Sequence, residues 1–248
     1  MTARVDLALF AHIVSKPEDE IDLAQAALLI AEPEYPGLDI PRYLRRLDEL
    51  GAQARRRDVS AGRQPGVAGI QPVLELLYGE HGFHGNSEDY YDPRNSYLNE
   101  ALDRRTGIPI TLAVVLIEVA SRAGVEAQGV SFPAHFLVRA RGREGPIYVD
   151  PFEGRVLSRA DLRDLFAQAS GERRDPDPHL LEPVPSRHIL MRMLNNLRAI
   201  HAHASDRERL RLVLERMAVI APTDSIRRDL AALDAGRAPT STRDPKLN

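Results

Sequence analysis

Residues 107–124 read GIPITLAVVLIEVASRAG, and their pattern decides the fold. From Leu112 onward apolar residues fall on nearly every side of the helix they predict, so this helix must be enclosed by protein rather than lie on a surface. Pro109 sits in its first turn, where proline is tolerated. Downstream, residues 128–140 and 146–149 alternate β-branched and aromatic residues with others and are joined by the turn-prone RGREG, which predicts an antiparallel hairpin. With the turn centred on Gly142 and Arg143, facing residues have numbers that sum to about 285, which sets His135 opposite Asp150. A buried helix against an antiparallel sheet is an α+β arrangement.

Upstream, the chain from Val5 to about Tyr78 has helical spacing broken by Pro, Gly and Asp, consistent with four short helices. Asp22 is placed to cap one, Glu32-Pro33 closes it, and Pro41 opens another carrying Tyr43, Leu44, Leu47 and Leu50 on one face. Residues 60–69 are expected as a loop. Residues 80–98, EHGFHGNSEDYYDPRNSYL, form a structured loop in which Tyr90, Tyr91 and Tyr97 crowd together. Residues 172–185 carry several prolines and charges, as a linker or crossing loop does. Beyond it two helical patterns form a hairpin, with Met191, Leu194 and Leu197 facing Leu210, Val213, Leu214 and Met217. Its span of roughly 34 residues equals one tetratricopeptide unit. The expected division is a helical lead-in at 1–79, a core at 80–171, the linker at 172–185, the helical hairpin at 186–236 and a frayed tail at 237–248.

Composition narrows the function. The 248 residues include no cysteine, which removes disulfides, thiolate metal sites and every cysteine nucleophile. Lys plus Arg number 33 against 36 Asp plus Glu, a net charge of -3 that gives no drive toward nucleic acid or anionic membrane. Of the 33, only Lys16 and Lys246 are lysines. No apolar run is long enough for a membrane span, and the start lacks the pattern of a signal peptide, so a cytoplasmic location is expected.

Three constellations carry chemistry. The start of the central helix, with Pro109 and Thr111, faces a hairpin bearing His135 and Asp150, the layout of a hydrolase triad in which a carboxylate orients the general base. Thr111 as a cap and His135 as a hydrogen-bonded strand residue is the plainer alternative. Tyr90, Tyr91, Asp92, Arg94 and Asn95 are the makings of a peptide- or ligand-binding surface, or else of a turn built on Asp92-Pro93 and Asn95. His81 and His84 are ligand types at a spacing of three, but Gly82 between them weakens the helix that would align them, so no metal site is expected. His188, His201 and His203 are expected on the surface of the C-terminal helices. No cofactor is expected, since phosphate loops and dinucleotide fingerprints are missing.

Four blocks in this order resemble the SirB-type transglutaminase-like family of bacteria. They are DLAQAALLIAEPEYPGLDIPRYLRRLDEL (22–50), GNSEDYYDPRNSYLNEALDRRTGIPITL (85–112), GVSFPAHFLVRA (129–140) with YVDPF (148–152), and RHILMRMLNNLRAIH (187–201) with ERLRLVLERM (208–217). The resemblance implies a papain/transglutaminase-like core with C-terminal tetratricopeptide-type helices. It also implies a Cys-His-Asp layout, in which His135 and Asp150 match the second and third members. Aligning Gly107 and Gly124 with the family's glycines puts Pro109 at the cysteine. The resemblance therefore implies a protein without its thiol nucleophile and brings no settled activity with it; Pro109 together with the retained His135 and Asp150 leads to the expectation of a pseudoenzyme, a regulatory module that binds an as yet unidentified protein or peptide. The alternative is a hydrolase or acyl-transfer enzyme using Thr111 or a water activated by His135.

Overall fold

The computed structural model describes residues 2–60, 69–142 and 145–237. Most of the loop expected at 60–69, the tip of the hairpin at Arg143 and the tail from 238 onward lie outside the described residues. In chain order the elements are helices α1 (Thr2–Ser15), α2 (Leu23–Ala31), α3 (Ile40–Ser60) and α4 (Gln71–Leu74), strand β1 (His84–Gly85), α5 (Leu98–Arg104), β2 (Thr106–Gly107) and α6 (Pro109–Ala123). Strands β3 (Ala127–Val130), β4 (Leu137–Arg141), β5 (Pro146–Asp150) and β6 (Arg155–Leu157) follow, then α7 (Arg159–Ser170), α8 (Ser186–His203), α9 (Arg207–Ile220) and α10 (Asp224–Asp234). The protein is α+β.

Two compact units arise from contacts distant in sequence: residues 1–40 with 185–247, and residues 41–184. The stretch expected as one lead-in at 1–79 thus contributes to both. In the first unit α1 and α2 pack with α8 and α9, and α10 packs on α9. Asp22 caps α2 by accepting from Gln25 N–H at 2.9 Å. Arginines tie the pieces together: Arg187 Nε donates to the Val14 carbonyl at 2.9 Å, and Arg198 pairs with buried Asp229 at 2.5 Å. Arg216, 2% exposed, donates from Nε to the Leu29 carbonyl. The stripe that α8 buries is Ile189, Leu190, Met193, Leu194 and Leu197, so Met193 takes the inward place expected of Met191. His201, expected on the surface, is 5% exposed, and burial pushes its imidazole down from the ordinary value.

The second unit is organised by α6, on which eleven of fifteen residues are buried. Strands β3-β4-β5-β6 form an antiparallel sheet in that order. Alternation along the strands directs Val138, Ala140 and Val149 to the face that meets α6, while Leu137, Tyr148 and Leu157 pack with Val130, Phe132, Leu162 and Phe166 on the other face. Helix α7 starts with a capping box between Ser158 and Asp161. Residues 172–184 cross back over the sheet edge as an ordered loop, with Pro183 bridging Val130 and Val184 N–H donating to the Gly129 carbonyl at 2.8 Å.

The sheet corrects the expected register. Val138 faces Val149 and Arg139 faces Tyr148, a sum of 287. Residues 128–140 are also not one strand. They break into β3 and β4, which pair with each other, because Pro133 has no N–H to give a ladder and Ala134 takes a left-handed φ of 58°. His135 therefore lies in the connection and not directly opposite Asp150.

Helices α3 and α6 come into close contact at Gly51, where an added Cβ would collide with Arg122 Cβ and backbone. Gly51→Ala is expected to force these helices apart and lower stability by about 1–3 kcal/mol, read as a lower urea midpoint with unchanged slope. An unchanged midpoint would contradict this packing.

Candidate functional site

Asp150 is the last residue of β5, and the chain turns on it. Its Oδ1 accepts N–H from Phe152 at 2.8 Å and from Glu153 at 3.3 Å, while its carbonyl accepts from Gly154 at 2.8 Å. An Asp side chain that bonds the backbone two residues on builds a turn in place of a ladder. Gly154 closes it with a φ of +66°, and a Cβ there would strike the Tyr78 ring. Tyr78 comes from a π-helical turn, Glu75–Glu80, and its hydroxyl donates to the Pro151 carbonyl at 2.7 Å. Burial, then the Asp150 charge, raises the Tyr78 phenol above its ordinary range, so it remains a donor. From a third segment, Gly85 N–H donates to the Phe152 carbonyl at 3.0 Å, and the Phe152 ring covers Gly85 so closely that no Cβ would fit.

His135 comes to the same turn from the β3–β4 connection, where its N–H donates to the Phe132 carbonyl at 3.0 Å. Its imidazole is half-buried. Burial pushes it below the ordinary histidine value, and the nearby Asp150 charge offsets only part of that. Among the described residues no hydrogen bond joins this ring to Asp150. The pair is brought into electrostatic range, not into the bonded geometry of a triad.

Pro109 opens α6 with Ile108 as its cap residue. Thr111, the expected replacement nucleophile, is 0% exposed and its Oγ1 has no partner. A hydroxyl sealed in this way meets neither substrate nor base. The expected binding residues divide into two sets. Asn95, 0% exposed, is the hub of the loop: its Nδ2 donates to the Asp89 carbonyl at 2.7 Å, its Oδ1 accepts from Asn86 at 3.0 Å, and its carbonyl accepts from Ile108 N–H. Asp92, also buried, caps the short 3-10 turn Pro93–Ser96 and binds Arg94 and Arg104. Burial opposes the Asp92 charge, but the hydrogen bonds and charges of these arginines outweigh it and hold the carboxyl below its usual range. These two residues build the loop and do not face a partner.

Tyr90, Tyr91 and Arg94 remain toward the outside. Tyr91 is 54% exposed and stands edge-on to Tyr90 with ring centroids 5.4 Å apart; Tyr90 tilts toward Phe152 at 6.2 Å. Three aromatic rings thus run from the exposed loop to the Asp150 turn. Tyr78 and Phe152 went unnoticed in the sequence, although the Asp-Pro-Phe-Glu-Gly run after β5 is a turn signal. Among the described residues no group of three His, Asp or Glu side chains is placed to hold a metal ion, and the His84 ring bonds the Gly82 carbonyl through Nδ1 at 3.0 Å.

Residues 41–195 match the family described as the transglutaminase-like superfamily. The chain belongs to that superfamily. Its relatives include a UPF0162 protein of Xylella fastidiosa (strain Temecula1), 35% identical over a 253-residue alignment covering 99% of this chain and 89% of that one. A UPF0162 protein of Vibrio cholerae is 30% identical over 189 residues, 73% of this chain and 67% of that one. F-box only protein 21 of Mus musculus is 35% identical over 137 residues, 52% of this chain but 21% of that protein. No solved structure matches significantly. In this transglutaminase-like chain the Asp150 turn, His135 and the start of α6 all belong to the matched region.

An NMR titration of His135 is expected to give a midpoint below 6.5, because the neutral ring is favoured by burial. Asp150→Asn removes the charge that raises it and shifts the midpoint lower still. A depressed folded value means that His135 costs stability as pH falls below its unfolded midpoint toward the folded one. A midpoint above 6.5 would mean a bonded His135–Asp150 pair instead.

Proposed function

We propose that this protein is a transglutaminase-like pseudoenzyme that binds a protein or peptide on the surface formed by Tyr90, Tyr91, Arg94 and Phe152, and acts as a regulatory or scaffolding module. One observation carries the reading: α6 begins with Pro109, where the resemblance puts the thiol, and the 248-residue chain contains no cysteine. The chemistry of the family is covalent, and proline supplies no nucleophile. His135 and Asp150 remain as structure, since Asp150 holds the turn that carries Phe152.

The same proposal assigns the chain to the SirB-type branch and treats α8 and α9 as a tetratricopeptide-type hairpin. Support comes from the short break between these helices, 204–206, and from the facing apolar residues Leu194, Leu197, Leu210 and Leu214, all buried. The recurrence of the matching stretch as about a fifth of F-box only protein 21 supports a unit that serves inside larger proteins. A cytoplasmic location belongs to the proposal; the observation beside it is that no described helix is long and apolar enough to cross a membrane.

A second reading is hydrolysis by a water that His135 activates. It is favoured by the depressed His135 value, which leaves a neutral ring available as a base near neutral pH, beside a carboxylate. Thr111 carries less of this reading because it is sealed.

The test is a screen of amide, ester and peptide substrates with wild type and His135→Ala, alongside affinity capture with wild type and Tyr91→Ala. The expected outcome is no turnover above the uncatalysed rate in either protein, and a captured partner that Tyr91→Ala loses. Turnover by wild type that His135→Ala abolishes while remaining folded would overturn the pseudoenzyme reading in favour of the second.

A further inference from the structure

The chemistry around the aromatic surface narrows what binds there. Glu88 and Asp89 precede Tyr90 in the chain and Glu153 follows Phe152; all three carboxylates are exposed. Among the described residues none of the three makes an ion pair or a side-chain hydrogen bond: Asp89 and Glu153 enter the loop's bonding only through their backbones. The cations beside them offset only part of that charge, and each already has an acceptor. Arg94 and Arg104 pair with Asp92, Arg155 pairs with Asp161, and Arg105 donates to the His81 carbonyl. His135, held toward its neutral form by burial, adds no compensating charge near neutral pH. The surface is therefore aromatic at its centre and acidic at its margin, on a chain that elsewhere neutralises many carboxylates with arginine.

An exposed aromatic face attracts a cation through its quadrupole, and a guanidinium can stack on a ring while its edge donates to a carboxylate. Tyr91 offers the ring, and Glu88, Asp89 and Glu153 offer the acceptors. The loop is held in place from within by Asn95 and Asp92, so its rings lose little freedom when covered. We infer that the occupant of this surface is a basic, arginine-bearing peptide segment of a partner protein, seated on Tyr91, Tyr90 and Phe152 and paired with Glu88, Asp89 and Glu153. This rests on the binding reading above and specifies its partner's chemistry.

The experiment is selection from a displayed random library of peptides about twelve residues long against the full chain. Parallel selections use Tyr91→Ala and Glu88→Gln/Asp89→Asn, which alter exposed side chains outside the core. The expected result is a pool enriched in arginine for wild type only. A winning peptide should lose at least about tenfold in affinity with either variant, and weaken as salt is raised. Enrichment of neutral, apolar or acidic peptides that still depends on Tyr91 would overturn this inference and leave the binding reading standing. Enrichment that neither variant alters, or none at all, would overturn both.

Discussion

Helix α6 buries eleven of its fifteen residues and leaves only the short polar face of Glu118, Ser121 and Arg122 toward water, and residues 41–184 are arranged to cover the rest. The sheet covers it from one direction and α4 and α5 from others, and Gly51 lets α3 come within contact of Arg122. Burial of this kind removes several large side chains from water at once, roughly 1.5–3 kcal/mol for each Val, Leu or Ile fully covered. It also fixes the start of the helix. Ile108 N–H donates to the Asn95 carbonyl and Asn86 N–H to the Gly107 carbonyl, so the loop at 85–95 is tied to the helix that the core has immobilised.

The turn after β5 extends that order to the candidate site. Asp150, Tyr78 and Gly85 each bond a different part of residues 151–154, and together they hold Phe152 against Gly85 and toward Tyr90. In a hydrolytic triad the carboxylate would spend its hydrogen bonds on the histidine. Here Oδ1 is committed to two backbone N–H groups, and the histidine is felt only through space. The hydrogen bonds of the Asp150 side chain serve the backbone. What this leaves facing outward is a rigid aromatic surface, suited to recognition because few rotamers are lost on binding.

Local patterns were legible in the sequence and long-range ones were not. The enclosed helix followed from apolar residues on every side, the Asp22 cap from its place before an apolar run, and the α+β class from the helix and hairpin together. The break of residues 128–140 into two strands turned on Pro133 and on a left-handed Ala134, which alternation alone does not reveal. Which of the loop's polar residues face inward depended on partners far along the chain: Asn95 meets the start of α6 and Asp92 meets Arg104. The same holds for His201, buried among helices from both ends of the chain, and for Tyr78, which meets its carbonyl partner 73 residues away. The missing thiol, by contrast, needed no structure, because it is a matter of composition.

The central claim is that Asp150 serves the backbone and not a reaction. Hydrogen exchange at the amides of Phe152 and Glu153 tests it most directly, compared among wild type, Asp150→Asn and Asp150→Ala. Asparagine keeps an Oδ1 acceptor and alanine does not, so the account predicts protection that Asn largely retains and Ala abolishes. Equal protection in all three, or none in wild type, would contradict it and return Asp150 to His135 as a partner in chemistry.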